Sequence, residues 1–326
     1  MKESSIDGRM LTPDFGRMCA ANFLLFASVY MLLTVLPMAM GGEVTVIYPA
    51  FLAGMLLAGP FQAYLADAFR RKHVLMLALV GIAVTMLAAP YVSAAHYMWL
   101  ALVQGACFTL AAGAGNTISI DITPSGHRTS GNMLFALCGR VGMVVGMLLG
   151  IWAFVRYPLA YLTYIAAALD GVALLLSTGV YVPFRAPMGV KLCSLDRFWL
   201  GRAWLPALNV GILTFAFGML AVFLAALSME WGYVWMLPML LTVLVVPPLV
   251  KMFVKLSHHC QRATGNMTFN LLMDAGLLAG IWAVCYMGSK DEVLIDEDSL
   301  AIAGLVVAIL LFVIATYPYY KKKRVR

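Results

Sequence analysis

The chain has 326 residues, of which 63% are hydrophobic and 11% charged, with a mean hydropathy of +0.91 and a net charge of +7. A soluble domain carries roughly 25% charged residues, so the composition excludes an ordinary soluble protein and points to a polytopic membrane protein. The positive balance does not indicate nucleic-acid binding, because Lys and Arg sit in short clusters between apolar runs rather than along a continuous phosphate track.

Ten apolar segments follow one another, near 19–40, 46–67, 73–93, 97–119, 130–153, 158–181, 204–227, 232–255, 266–287 and 299–318. A helix of about 20 apolar residues crosses the hydrocarbon core, and lipid requires every backbone group to be paired within the segment. The expected fold is therefore all-α, with ten transmembrane helices. The polar N-terminus contains acids and does not read as a signal peptide. With both termini in the cytoplasm, nineteen of the 22 Lys and Arg residues fall on the inner side. They include Lys2, Arg9, Arg17, Arg185, Lys191, Arg197, Arg202, Lys251, Lys255, Arg262 and the C-terminal run Lys321 to Arg326. Only Arg156 and Lys290 lie in outer loops, and the loop GSKDEVLIDED is acidic. The long polar stretch 182–203, with Pro183 and Pro187, separates six helices from four. The expected division is a six-helix bundle (1–181), a cytoplasmic linker (182–203) and a four-helix bundle (204–326).

Residues 127–146 and 261–280 read HRTSGNMLFALCGRVGMVVG and QRATGNMTFNLLMDAGLLAG. They share Arg, Gly, Asn, Met, Phe, Leu, Gly and Gly in one register, 134 residues apart. Repeated halves in a membrane protein point to a transporter with its site between them.

Residues 59–75 read GPFQAYLADAFRRKHVL. This resembles the loop between the second and third helices of the major facilitator superfamily: Gly, three residues, Asp, Arg, any residue, Gly, Arg, Arg. Asp67, Arg71 and Lys72 match, while Ala63, Ala68 and Arg70 depart from it. DITPSGHRTSGN (121–132) resembles the family's fourth–fifth loop through Asp121, Pro124 and Arg128, and Gly139, Gly142, Gly146 and Gly150 resemble its fifth-helix glycines. Gln104 and Gly105 resemble the fourth-helix motif, with Ala101 in place of its Arg. The resemblance implies a gate in which Asp67 faces the start of the helix that opens at Thr264-Gly265-Asn266, while Arg71 lies near Asp121. Ordinary loop solvation is the alternative.

Three charges lie deep in apolar runs: Arg140, Asp170 and Asp274. Such charges are costly and mark functional candidates. Arg140 and Asp274 are repeat-equivalent, each two residues before a ladder glycine and about 200° from it around the helix. They are expected to point away from the close-packed face. Arg140 is a candidate for an anionic substrate group and Asp274 for a cation or proton, or the charges serve structure as an ion pair. Asp170 reads as a packed acid on a helix that the resemblance makes peripheral. Asn22 and Asn209 mark comparable points of the first and seventh helices, facing substrate or bonding between helices. The 22 Met residues suit either an adaptable wall or core filling.

The first repeat is about 50 residues longer than the second. The resemblance implies that the family's eighth and ninth helices are absent, lost between Ala226 and Gly232. The cavity would then open sideways unless a second copy or a partner chain covers it. The expected function is secondary transport of a small organic solute or amphiphile across a bacterial inner membrane, efflux favoured, with a non-transporting scaffold or regulator as the alternative. Ala101 and the acid-free first helix argue against proton coupling. No nucleophile–base pair, metal cluster or phosphate loop supports an enzyme, and no cofactor is expected. His258, His259 and Cys260 read as a solvated loop.

Overall fold

A computed structural model describes residues 10–40, 44–183, 189, 191–194, 198–231, 239–258, 261–288 and 297–324. Among them there is no strand. Lys2, Arg9, Arg185, Arg197, His259, Cys260, Lys290, Arg326 and most of the acidic outer loop lie outside the described residues.

The apolar runs form α1 (Pro13–Met40), α2 (Val44–Ala58), α3 (Gln62–Ala68), α4 (Arg71–Ala88), α5 (Ala94–Ile122), α6 (Arg128–Phe154) and α7 (Leu159–Thr178). After the linker come α8 (Trp204–Trp231), α9 (Leu240–Leu256), α10 (Arg262–Gly288), α11 (Glu297–Leu311) and α12 (Tyr317–Lys323). A 3-10 turn joins α2 to α3, and a π turn joins α11 to α12, so each pair acts as one rod. Among the described residues nine rods are long and apolar enough to cross a bilayer. The remaining expected segment, 232–255, is described as the 17 residues of α9, about 26 Å of helix. Leu77, Leu244, Val313 and Ile314 are among the large apolar side chains left on the outside, the surface that lipid tails solvate.

Small residues decide which helices touch. A Cβ at Gly142, Gly146 or Gly150 would collide with the carbonyl oxygens of Phe23, Ala27 and Met31, so α6 lies backbone to backbone along α1. The second repeat does the same. A Cβ at Gly276 or Gly280 would strike the carbonyls of Gly211 and Phe215, joining α10 to α8. A shift of 134 residues in one helix and 188 in the other carries the first crossing onto the second. Gly54 and Gly105 form a third crossing, between α2 and α5. The two repeats meet where α10 packs on α2 and α5, and where α9 packs on α6. Met133 and Ala136 of α6 rest on the apolar cluster of α8, α9 and α10, so α9 covers this part of α6.

One boundary differs from expectation. The helix expected to open at Thr264-Gly265-Asn266 begins at Arg262, after a turn in which Gln261 N–H donates to the His258 carbonyl (2.8 Å). Thr264 and Asn266 are thus inside the helix, not capping it. The Thr264 carbonyl accepts from Thr268 Oγ1 (2.9 Å), a bond within helical backbone.

The ladder yields a test. Gly146→Leu is expected to destabilise the chain by about 2 kcal/mol or more, because a rigid backbone faces the added side chain. Gly126→Leu, at a position with open space around it, is expected to change stability by under about 0.5 kcal/mol. Thermal unfolding in mild detergent measures both, and equal shifts would contradict the ladder.

Candidate functional site

The glycine faces of α6 and α10 are occupied by α1 and α8, so the residue two positions before each inner glycine points elsewhere. On α6 that residue is Arg140, and on α10 it is Asp274. They point at each other. Arg140 Nη1 donates to Asp274 Oδ1, and Nη2 donates to Asp274 Oδ2 (3.2 Å). Both residues are 1% exposed. This fork-on-carboxylate geometry is the strongest form of ion pair.

The surrounding groups complete the pair. Tyr30 Oη of α1 donates to Asp274 Oδ1 (2.6 Å). Asn270, one turn before Asp274, accepts from Arg140 Nη2 through its Oδ1 (3.3 Å). Met143 Sδ lies 3.7 Å from Nη1, and the guanidinium stands 4.8 Å over the Phe26 ring. Phe108 meets Phe26 edge-on, with centroids 5.1 Å apart. Removing one partner of a buried pair costs about 3–5 kcal/mol by leaving the other charge unpaired, whereas replacing both by well-packed apolar residues is often neutral. On the far side of Asp274, Met55, Thr109, Met267 and Asn270 help line a cavity of about 10 Å³, room for about one water. Thr109 Oγ1 is buried there without a hydrogen-bond partner.

Contacts join the repeats at both ends. At one end, Trp282 Nε1 of α10 donates to the Thr45 carbonyl of α2 (2.8 Å). At the other, the linker reaches from the first repeat to the second. Ser194 N–H donates to the Pro60 carbonyl (3.1 Å), the Phe198 ring lies where a Gly59 Cβ would sit, and Leu200 N–H donates to Thr268 Oγ1 of α10 (2.8 Å). The role of Phe198 had no signal in the sequence beyond an aromatic within a polar linker.

The loop residues gather at the α3–α4 corner. Arg71 Nη1 donates to Asp121 Oδ2 at the end of α5. Lys72 Nζ donates to the carbonyls of Thr178 (2.6 Å) and Val180 (2.8 Å), and Arg17 donates to that of Gly179 (2.8 Å). Cations thus satisfy the free carbonyls at the end of α7. Asp67, half-buried, lines a cleft of about 770 Å³ with Arg70 to His73 and Thr178 to Pro183. Arg128 opens α6, and its Nε is buried without a partner. Asn266 is buried with its Oδ1 unpartnered, as is Nδ2 of its repeat equivalent Asn132.

The remaining candidates lie apart from the pair. Asn22 Nδ2 donates to the Phe135 carbonyl of α6 (3.0 Å), and Asn209 Nδ2 donates to the Ala308 carbonyl of α11 (2.7 Å). These are not comparable points. By the ladder register Asn209 matches Ala21, and one residue turns a side chain by about 100°. Gln104 is buried on α5 beside Gly105. Asp170 is fully buried on α7, which packs on α1 and α4, and neither carboxylate oxygen has a hydrogen-bond partner.

The fold has counterparts among solved structures. The structure of the Escherichia coli fucose:proton symporter FucP is similar over 98% of this chain and 100% of that one (TM-score 0.61, 12% identity). The human organic anion transporter MFSD10 is similar over 95% and 96% (TM-score 0.57, 15% identity), and the nucleoside transporter NupG over 94% and 99% (TM-score 0.53, 14% identity). At these identities the likeness establishes the fold. No curated protein sequence matches. The Major Facilitator Superfamily pattern matches residues 18–321. The family and its neighbours indicate a multi-pass membrane transporter rather than an enzyme. The chain belongs to the Major Facilitator Superfamily.

Proposed function

We propose that the chain is a secondary transporter of a small organic solute, working by alternating access between the two repeats, with efflux as the favoured direction. The observation that carries this reading is the Arg140–Asp274 pair, which joins α6 of one repeat to α10 of the other at the buried centre. A pair between two rigid bodies is made in one arrangement and broken in another, which is what a rocking carrier requires. The bodies in this reading are residues 1–181 and 204–326, tied by the linker 182–203, with the second lacking the family's eighth and ninth helices. The proposed setting is a bacterial inner membrane with both termini cytoplasmic, a topology that the basic clusters support. The α3–α4 corner then faces the cytoplasm, where the proposed gate sets Asp67 against the start of α10 in one conformational state, beside the Arg71–Asp121 pair. Asn22, Asn209 and Gln104 serve helix contacts around this centre. A second reading, a non-transporting scaffold that binds a partner chain or a second copy, is favoured by the closed core, whose cavity beside Asp274 is only about 10 Å³.

Two measurements test the transport reading. In mild detergent, Arg140→Gln and Asp274→Asn are each expected to lose about 3–5 kcal/mol, while the double variant regains most of it. In proteoliposomes the double variant is expected to carry solute at least tenfold more slowly than the parent chain. A folded double variant with unchanged flux would remove the pair from the mechanism. Absence of any flux in the parent chain, together with a stable partner in detergent, would establish the scaffold reading. For the gate, cysteines at positions 67 and 266 are expected to crosslink in one conformational state only, and state-independent yields would exclude it.

A further inference from the structure

The charges at the centre restrict what can be carried, on the premise that the chain is a transporter. When the repeats part, Arg140 loses Asp274 and Asn270, which both belong to α10, and keeps only the Met143 sulfur and the Phe26 ring of its own repeat. Water can solvate the guanidinium while the centre is open. Once the carrier closes over a solute, that water is displaced. Arginine does not give up its proton in proteins, so the loaded, closed state needs a new anion on Arg140. Asp274 is different, because a carboxylate can be neutralised by a proton or matched by a cationic group. The other ionisable group on the pair is Tyr30; Asn270, Met143, Phe26 and Thr109 are neutral.

We propose that the transported solute bears an anionic group, a carboxylate or phosphate, that replaces Asp274 on Arg140, and that neither a neutral solute nor a lone cation is carried. Asp274 is balanced at the same moment by a proton or by an ammonium group on the solute itself. The position for the solute is the space between α5 and α10 that widens from the small cavity beside Asp274 when the repeats part. Thr109 Oγ1 is buried and unpartnered there on α5, and Asn270 lines the facing wall on α10. Both offer hydrogen bonds to a polar group. Phe26 and Phe108 give an apolar surface next to it for the body of the solute. The empty carrier closes by remaking the Arg140–Asp274 pair, which explains why the closed structure needs no ligand to balance its charges.

The test uses the full-length chain with five defined probes: benzoate, glucose 6-phosphate, L-leucine, glucose and choline. Thermal protection in detergent and flux in proteoliposomes containing a pH-sensitive dye are read for each. At least one of the first three is expected to protect and to move, and glucose and choline are expected to do neither. Benzoate is expected to move with a proton and leucine without one, which separates the two ways of balancing Asp274. Arg140→Gln is expected to weaken the response at least tenfold, with partial rescue by Arg140→Lys. If Arg140→Gln does not fold, Arg140→Gln/Asp274→Asn, which leaves no buried charge unpaired, takes its place and is expected to respond to none of the anions. Glucose or choline carried by the parent chain, with loss in the double variant, would overturn the charge rule and leave transport standing. No flux or protection with any probe would overturn the transport reading and this proposal with it.

Discussion

An arginine and an aspartate cannot each stand alone in the middle of a protein whose outside is lipid. The desolvation of either charge is too costly, so Arg140 and Asp274 must face each other, a cavity with water in it, or another ion. Closing the structure forces the first choice. That one electrostatic requirement fixes how α6 and α10 are rotated, where Tyr30 and Asn270 must lie, and how far the repeats can approach. It also makes the closed state a discrete arrangement, because a forked pair is either formed or broken.

The glycine crossings make such a pair usable. Gly142, Gly146 and Gly150 hold α6 on α1, and Gly276 and Gly280 hold α10 on α8, by contacts that leave no side chain to rearrange. Each charged residue is therefore carried by a stiff two-helix unit. Its position relative to the other changes only when whole units move. Between the repeats the packing is through side chains: α9 lies on α6 and α10 on α2 and α5, while Trp282 on the Thr45 carbonyl, the linker's Phe198 ring over Gly59 and the Arg140–Asp274 pair add contacts at the two ends and the middle. Stiff units that meet through side chains are the mechanical form expected of a carrier that rocks.

Much of this was legible in the sequence. Apolar run lengths placed most of the helices to within a few residues, because lipid leaves the backbone little choice, while α1 begins at Pro13 instead of near residue 19. The repeat and the motif residues Asp67, Arg71, Asp121 and Gly142 pointed to the family. The meeting of Arg140 and Asp274 was also within reach, since equivalent residues aimed at a twofold axis converge on it. The sequence left that ion pair standing beside separate roles for anion and cation, because the repeat alone does not say how closely the two halves approach. Asn22 and Asn209 misled for the opposite reason: they looked alike by eye, but only the glycine register shows that they differ by one residue. Tyr30 and Phe198 carried no such signal. The ladder register pairs Tyr30 with Gly218, and Phe198 acts through contacts to Gly59 and Thr268 that no periodicity announces.

The most direct measurement is the distance between spin labels on the two repeats at one end of the molecule, at Gly126→Cys and Lys255→Cys, in a background without the native cysteines. Pulsed electron paramagnetic resonance reads the populations. If the central pair holds the repeats together, the parent chain populates mainly a short distance, and adding Arg140→Gln/Asp274→Asn shifts population to a second, distinct one. A single distribution, unmoved when both charges are removed, would contradict the account.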